Sequence, residues 1–565
     1  MKKWYNIALL SVSMVALLAP CAFAVTPADV PSAADAGRIR PEKSLPKPSD
    51  APRGPSVSPE SVIPPVDAPE GAESVRFQLR SVAFTGVKSF DAKTAFQKDL
   101  APLLNQEISL KDIYILAAQI TRQYREAGYI LSYAYVPDQN IENGNVTIAV
   151  AEGFISNVVV KGDDPNTRIS QHYIARITAE QPLRDKTLES ALLRLNDLPG
   201  YNYRAVLSKE AGQSREASTL TLIPQEKSAR TSAGFDNYSS RYLGPNEVSA
   251  SYIDSFLPLQ QTTLLGLTSL PTDKLNYALV NHSVVVAPDI TLEGSASYTQ
   301  SKPAYTLTPL DIDSTSTSVS IGMNYQWIRQ RNENLLLKIA AESRNVASDT
   351  SNTPLTRDHV RTLRSSLSYD TNDQWNGDNI LNLTLTQGID GLGSSKSGDL
   401  NLSRSQAKPD FTKAELSISR IQALTDNWAV QLQVAGQLAS DPLYASEEFG
   451  VGGQQYGRAY DTSEIVGDKG ASGAIELRYT GLRTMQPVNF EPFLYFDGGI
   501  VTNRDVGQSK RDSLTSVGGG VRFATQQGQA GILGLALPLA REVNAPNYGQ
   551  GKSSPRILLQ VSQNF

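Results

Sequence analysis

Residues 428–438 read WAVQLQVAGQL, an unbroken alternation that places Trp428, Val430, Leu432, Val434, Gly436 and Leu438 on one face and Ala429, Gln431, Gln433, Ala435 and Gln437 on the other. Strand side chains alternate between faces with a period of two, so this stretch is a strand with one apolar and one polar side. Residues 290–299 behave alike, with Ile290, Leu292, Gly294, Ala296 and Tyr298 set against Thr291, Glu293, Ser295, Ser297 and Thr299, and 381–386 and 414–419 repeat the pattern. Soluble antiparallel sandwiches also alternate, but their strands are nearer five or six residues. Segments of about ten residues fit strands with lipid outside and water inside.

Sixteen such segments can be placed between Arg230 and Phe565, the first near Arg230–Ser240 and the last at Arg556–Phe565. An even count returns both ends of the barrel to one side of the membrane. Connections after even-numbered segments are short, as at Ala287-Pro288, whereas 301–315, 389–410, 439–471 and 540–554 follow odd-numbered ones. Short periplasmic turns and long outer loops are the expected asymmetry, and they put the α/β modules that precede the barrel in the periplasm. Phe565, preceded at alternate positions by Val561, Leu559 and Ile557, is similar to the C-terminal assembly signal of outer-membrane barrels.

The 565 residues are 40% hydrophobic and 19% charged with a net charge of -5, which allows several domains and suggests no nucleic-acid partner. Downstream of residue 24 there is no run of about 18 apolar residues, so a membrane-resident chain must cross as a closed barrel. Residues 1–24 carry Lys2 and Lys3, an apolar run Ile7–Leu18 and the small-residue end Ala22-Phe23-Ala24, which together predict a secretory signal and a mature start at Val25. The single cysteine, Cys21, lies inside that signal, so the mature chain is expected to hold neither disulfide nor thiol. Residues 25–74 form a proline-rich linker, in which only Ser32–Arg40 predicts a short helix, with Ser32 as N-cap.

Two α/β units are expected at 75–153 and 154–227. The first has a strand at Phe77–Phe84, a turn at Gly86, and a helix from Ser109 with Ile113, Leu116, Ala117, Ile120 and Tyr124 on one face. Gly128 ends the helix, and strands follow at Tyr129–Val136 and Val146–Ala151. The second repeats the order with a strand at Ile155–Val160, helical material at Ser170–Ile177, and a helix carrying Leu188, Ala191, Leu192 and Leu195. Strands at Tyr203–Ser208 and Ser218–Ile223 complete it. Two tandem β-α-α-β-β units before a barrel resemble POTRA domains, the periplasmic modules of outer-membrane assembly and secretion transporters. The fold class is thus two POTRA-like α/β modules followed by an all-β, 16-stranded antiparallel transmembrane barrel at 228–565.

The longest outer loop carries Gly452-Gly453-Gln454-Gln455-Tyr456-Gly457-Arg458-Ala459-Tyr460 and then Gly467-Asp468-Lys469-Gly470. It resembles the signature loop of two-partner secretion transporters and their insertase relatives, whose core reads V-R-G-F/Y. Arg458 and Tyr460 match, while Gly457 and Ala459 depart at the flanking positions. In the thirteenth segment, Tyr495-Phe496-Asp497-Gly498-Gly499 looks like the partner motif, with an aromatic residue two before an aspartate and Gly499 two after it. The resemblance implies that loop 439–471 folds into the lumen and that Arg458 pairs with Asp497 as a gate. A guanidinium can hold a carboxylate through two parallel hydrogen bonds, which gives orientation as well as attraction. It further implies a plug, which here could only be the Ser32–Arg40 segment. The implied partner is a large, unfolded, β-helical exoprotein, such as an adhesin, hemolysin or contact-dependent toxin. Outer-membrane lipid, the barrel assembly machinery and periplasmic chaperones are the other expected partners.

No catalytic constellation emerges. His172, His282 and His359 lie on separate elements without ligand spacing, so no metal site is expected. Gly549-Gln550-Gly551-Lys552-Ser553 ends like a phosphate loop, but Pro546 replaces the first glycine and no strand-loop-helix context exists. Gly393-Ser394-Ser395 lacks the spacing of a nucleophile elbow. Neither enzyme activity nor a cofactor is expected. The competing readings are an outer-membrane protein insertase, which usually carries more POTRA modules, and a passive solute porin, which has no use for periplasmic modules or a loop-wall pair.

Overall fold

A computed structural model describes residues 26–27, 30–39, 67–209, 212, 214–482, 487–504, 511–540 and 555–565. The expected signal, Cys21, Val25, Arg40, most of the proline-rich linker and the Gly549–Ser553 stretch lie outside them.

Sixteen strands close into one antiparallel barrel. The alternation behaves as its chemistry demands: Leu432, Val434 and Leu438 are exposed to the lipid side, while Ala429 and Gln437 are buried toward the lumen. Closure joins the first strand, Arg230–Asp236, to the last, Arg556–Asn564, through pairs from Gln560↔Asp236 to Asn564↔Ser232. The first strand stops at Asp236 rather than Ser240 because Asn237 turns its side chain into the ladder, accepting from the Leu559 N–H at 2.9 Å. Three strands, Ile312–Arg329, Glu333–Thr350 and Thr353–Asn372, run 18, 18 and 20 residues. The last two meet in the tight turn Ser351-Asn352, both residues at positive φ, so here the strands themselves make the outward extension.

In the first periplasmic module, Ser81–Thr85 runs parallel to Asn145–Ala151, which pairs antiparallel with Tyr133–Tyr135. The single strand expected at Phe77–Phe84 is two. Arg76–Gln78 pairs instead with Glu107–Ser109, and the chain changes sheets at Leu79-Arg80, where Leu79 is fully buried and the Arg80 N–H donates to the Gly144 carbonyl at 2.8 Å. Helix Leu110–Glu126 starts on a capping box in which Ser109 and Asp112 satisfy each other's backbone N–H. It buries Ile113, Leu116, Ala117, Ile120 and Tyr124. The second module has helices Thr167–Ala179 and Asp185–Asp197 and a sheet in which Phe154–Val160 runs parallel to Ala217–Glu226, itself antiparallel to Tyr201–Ser208. Both sheets share one order, first strand, last strand, middle strand.

The second module sits on the periplasmic turns of the barrel. Arg194 pairs with Asp289, whose carboxylate also accepts from the Tyr173 hydroxyl at 2.9 Å. Asp197 takes both ends of the Arg329 fork at 2.6 and 2.9 Å, and Leu259 of one turn and Val285 near the periplasmic end of its strand enter the module's apolar core. Lys209 and Arg215, from the module's far hairpin, lie over the rings of Tyr133 and Tyr135 in the first module.

The N-terminal segment corrects one expectation. Ser32–Ala34 and Ala36–Arg38 are two 3-10 turns, not an α-helix, and Ser32 is not a cap. Its hydroxyl donates to the Ser463 carbonyl at 2.7 Å, while Asp35 caps the second turn by accepting from the Gly37 N–H at 2.8 Å. A stretch this short cannot repay helix nucleation, and the barrel takes its carbonyls instead. Ser240 donates to Ala33 O at 2.6 Å and Arg344 to Gly37 O at 3.4 Å.

Candidate functional site in the barrel lumen

The strands Trp428–Ala439 and Lys469–Tyr479 are joined by residues 440–468, which turn into the barrel. A small hairpin, Phe449–Val451 with Ile465–Gly467, forms the stem. Val451 packs against the wall at Gly499, where an added Cβ would meet both Val451 methyls at 2.9 Å. Gly499 therefore leaves room for the stem. At the tip, Gly457 has φ +71°, and a Cβ there would lie 2.5 Å from Leu514. Glycine suits both the turn and the approach, which a side chain would strain.

Arg458 is 7% exposed and lies between two carboxylates. Nη1 donates to Glu476 Oε2 at 2.8 Å, whereas Nε lies 3.4 Å from Asp497 Oδ2. The expected two-pronged grip on Asp497 is absent, because Asp497 already serves the tip. Its Oδ1 accepts from the Gly457 N–H at 3.0 Å and from the Ser516 hydroxyl. The guanidinium also stacks 4.1 Å above the Tyr495 ring, itself 6.2 Å from Phe493, over which Arg522 lies at 4.2 Å. Tyr495 lies flat because Gly518, its ladder partner, has no Cβ; one would stand 2.5 Å from the Tyr495 hydroxyl.

Glu476 is the hub that sequence reasoning missed. It receives Arg458, Arg478 at 2.8 Å and Arg522 at 2.7 Å. The available signal was parity: Glu476 and Arg478 alternate with Ile475 and Leu477 and so face the water-filled side. Ala459 and Tyr460 are buried, and the Tyr460 hydroxyl donates to Thr515 O at 2.9 Å. Arg556 of the last strand donates to Tyr460 O, and Arg241 engages Asp461 and, at 2.6 Å, Glu464. Phe565 is not part of this cluster. It ends the closing strand, 75% exposed, with its N–H donating to Thr231 O at 2.9 Å.

At the root of the loop Asp468 is fully buried, gripped by both Arg404 nitrogens and by the N–H groups of Leu443 and Arg504, each at 2.8 Å. Arg404 also lies 3.2 Å from Glu448, which pairs with Arg38 of the N-terminal segment. Segment and loop are thus tied to each other as well as to the wall.

Residues 216–523 match the family described as Haemolysin secretion/activation protein ShlB/FhaC/HecB. The chain belongs to this family. Residues 77–153 match the POTRA domain, ShlB-type. Among relatives of this haemolysin secretion/activation family member, the Heme/hemopexin transporter protein HuxB of Haemophilus influenzae is 24% identical over 462 residues, 78% of this chain and 80% of HuxB. The Outer membrane transporter CdiB of Dickeya dadantii is 23% identical over 489 residues, 82% of this chain and 83% of CdiB. The structure of CdiB from Escherichia coli shares the fold with a TM-score of 0.64 at 18% identity, covering 90% of this chain and 94% of that one. The chain is a two-partner secretion transporter of the outer membrane, with its POTRA region in the periplasm, and large secreted exoproteins are the partners of its class.

Proposed function

We propose that both periplasmic modules capture one unfolded, β-helical exoprotein and that it crosses the barrel once loop 440–468 and segment 30–39 give way, with Arg458, Glu476 and Asp497 as the gate. The observation that carries this reading is the double occupancy of the lumen. Both occupants are held by ion pairs and hydrogen bonds, which water or a passing polar chain can replace, and the loop adds apolar packing of Val451, Ala459, Tyr460 and Ile465 against Val501 and Leu514 that must part when the lumen opens. A solute porin has no use for such a closure. Capture by strand addition suits the modules, since Ser81–Thr85 forms the outer edge of its three-stranded sheet while the opposite edge lies under Lys209 and Arg215. No nucleotide is at hand in the periplasm, so folding of the exoprotein outside biases the movement outward. Phe565, exposed at the end of the closing strand, is accessible to the assembly machinery and chaperones during insertion. We assign the chain no catalytic role.

The test is co-expression with a candidate large β-helical exoprotein encoded in the same genome, scored by that protein's appearance outside the cell. Secretion is expected with the wild type. Arg458→Ala should abolish it while heat-modifiable gel mobility shows the barrel inserted; undiminished secretion by that variant removes the gate assignment. Wild-type failure to secrete, together with falling levels of other outer-membrane barrels on deletion, moves the reading to an insertase.

A further inference from the structure

The lipid-facing side of the second to fifth strands, Asn246–Asp254, Gln260–Leu270, Leu275–Ala287 and Ile290–Ser301, carries a groove on the far side of the wall from the lumen. Ala250 pairs with Gly266 and Gly266 with Ala278, so three adjacent outward positions hold at most a methyl group. Leu264, Val280 and Tyr298, all exposed, stand around them, and the hollow measures about 680 Å³. Past the row Tyr252, Leu264 and Val280, the following outward row toward the periplasm is polar. Asp254 pairs with Thr262 and Thr262 with His282. The Tyr252 hydroxyl donates to Asp254 at 2.6 Å, and the His282 ring nitrogens lie 2.9 Å from the Thr262 hydroxyl and 3.2 Å from Gln260 Oε1.

Asp254 ends its strand beside the periplasmic turn, so the row closes the apolar belt beneath the groove, while the same ladder, carried away from the periplasm by strand tilt, runs on through Gly294 to the lipid-exposed Ile321. A carboxylate facing outward at that edge stands where lipid headgroups lie and favours a cationic one. Among the described residues no cation pairs with Asp254, and its carboxylate is the only formal charge in the row. From Asp254 to Val248 the groove follows about six residues, which at about 3.3 Å each and a tilt of about 45° rise about 14 Å, close to half of the roughly 30 Å hydrocarbon core.

We propose that the groove holds one inner-leaflet phospholipid with a primary-ammonium headgroup of the ethanolamine type. An acyl chain lies along Ala250, Gly266 and Ala278, and the ammonium donates to Asp254 at the periplasmic end. That polarity is the one an inner-leaflet lipid has, headgroup toward the periplasm and chain toward the outer leaflet.

The test uses the full chain, purified in detergent and stripped of lipid, then titrated with phosphatidylethanolamine or phosphatidylglycerol and read by native mass spectrometry. The wild type should retain the ethanolamine lipid at one copy and the glycerol lipid about tenfold less. Asp254→Asn should bring the two to the same weak level, and Ala278→Phe, or Ala250→Leu should that variant misfold, should reduce both. Equal retention of the two lipids by the wild type, undiminished ethanolamine-lipid binding by Asp254→Asn, or a second copy of the chain in place of lipid would each overturn the assignment.

Discussion

Arg458 chooses between two carboxylates, and the choice ranks the residues of the proposed gate. Glu476 serves three guanidinium groups, so Glu476→Gln weakens three buried or half-buried cations at once, offset in part by Asp497 at 3.4 Å from Arg458 and by Glu491 at 3.7 Å from Arg478 and 3.3 Å from Arg522. Removing one partner of a buried ionic cluster costs about 3–5 kcal/mol, and lumen water should hold the loss near the lower end. Asp497→Asn keeps an oxygen for the Gly457 N–H and the Ser516 hydroxyl and loses only an ion contact at 3.4 Å, an expected cost of about 1 kcal/mol. The midpoint temperature of the heat-modifiable gel shift should therefore fall further for Glu476→Gln than for Asp497→Asn; the reverse order would return the central role to Asp497. The motif made Arg458, Tyr460 and Asp497 legible. Glu476 was not, because parity tells which way a side chain faces but not which inward groups share a height. That depends on ladder register, which sets Glu476 beside Tyr495 and Asp497 beside Ala474.

Among the elements, the N-terminal segment and the second module make different demands. Segment 30–39 owes its shape to its surroundings: Gly37 fits against Val346, and Arg38 pairs with Glu448. Deleting residues 31–45 should raise single-channel conductance in planar bilayers, and unchanged conductance would dismiss the segment as a plug. The second module meets the barrel through Lys227, whose ammonium donates to the carbonyls of Asn196 at 2.7 Å and Leu198 at 2.8 Å. Burial pushes this amine down to about 8. Between pH 8 and about 10.4 the unfolded chain holds a proton that the folded one has shed, so module stability should rise with pH across that window. The urea midpoint of the helical circular-dichroism signal, which comes from the periplasmic modules, reads this directly. Lys227→Met should flatten the rise.

At the scale of the whole molecule, the transporter is two bodies joined by a polar interface. Arg194 reaches Asp289 and the carbonyls of Gln326 and Trp327 at 3.0 and 3.2 Å, so one side chain spans two periplasmic turns. Arg194→Ala leaves Asp289 with the Tyr173 hydroxyl alone and should loosen the docking by about 3 kcal/mol. Spin labels on the second module and on the turn at residue 288 should then report a broadened distance distribution, while an unchanged narrow one would show that the Asp197–Arg329 pair and the apolar seat of Leu259 and Val285 suffice to hold the module.

Alternation along each strand, turn glycines and the two tandem units are local properties, and the sequence by itself determined the membrane barrel, its strand number and the order of its modules. A period-two pattern leaves a chain without apolar helices no other way to satisfy its backbone in lipid. The tertiary structure alone decided what fills the lumen and how. The split of Arg458 between Glu476 and Asp497, the 3-10 turns at 32–38 and the polar row beside the lipid groove all arise where residues far apart in the chain are brought to one height by strand stagger. No local pattern encodes that height, because it is the sum of registers around a closed sheet.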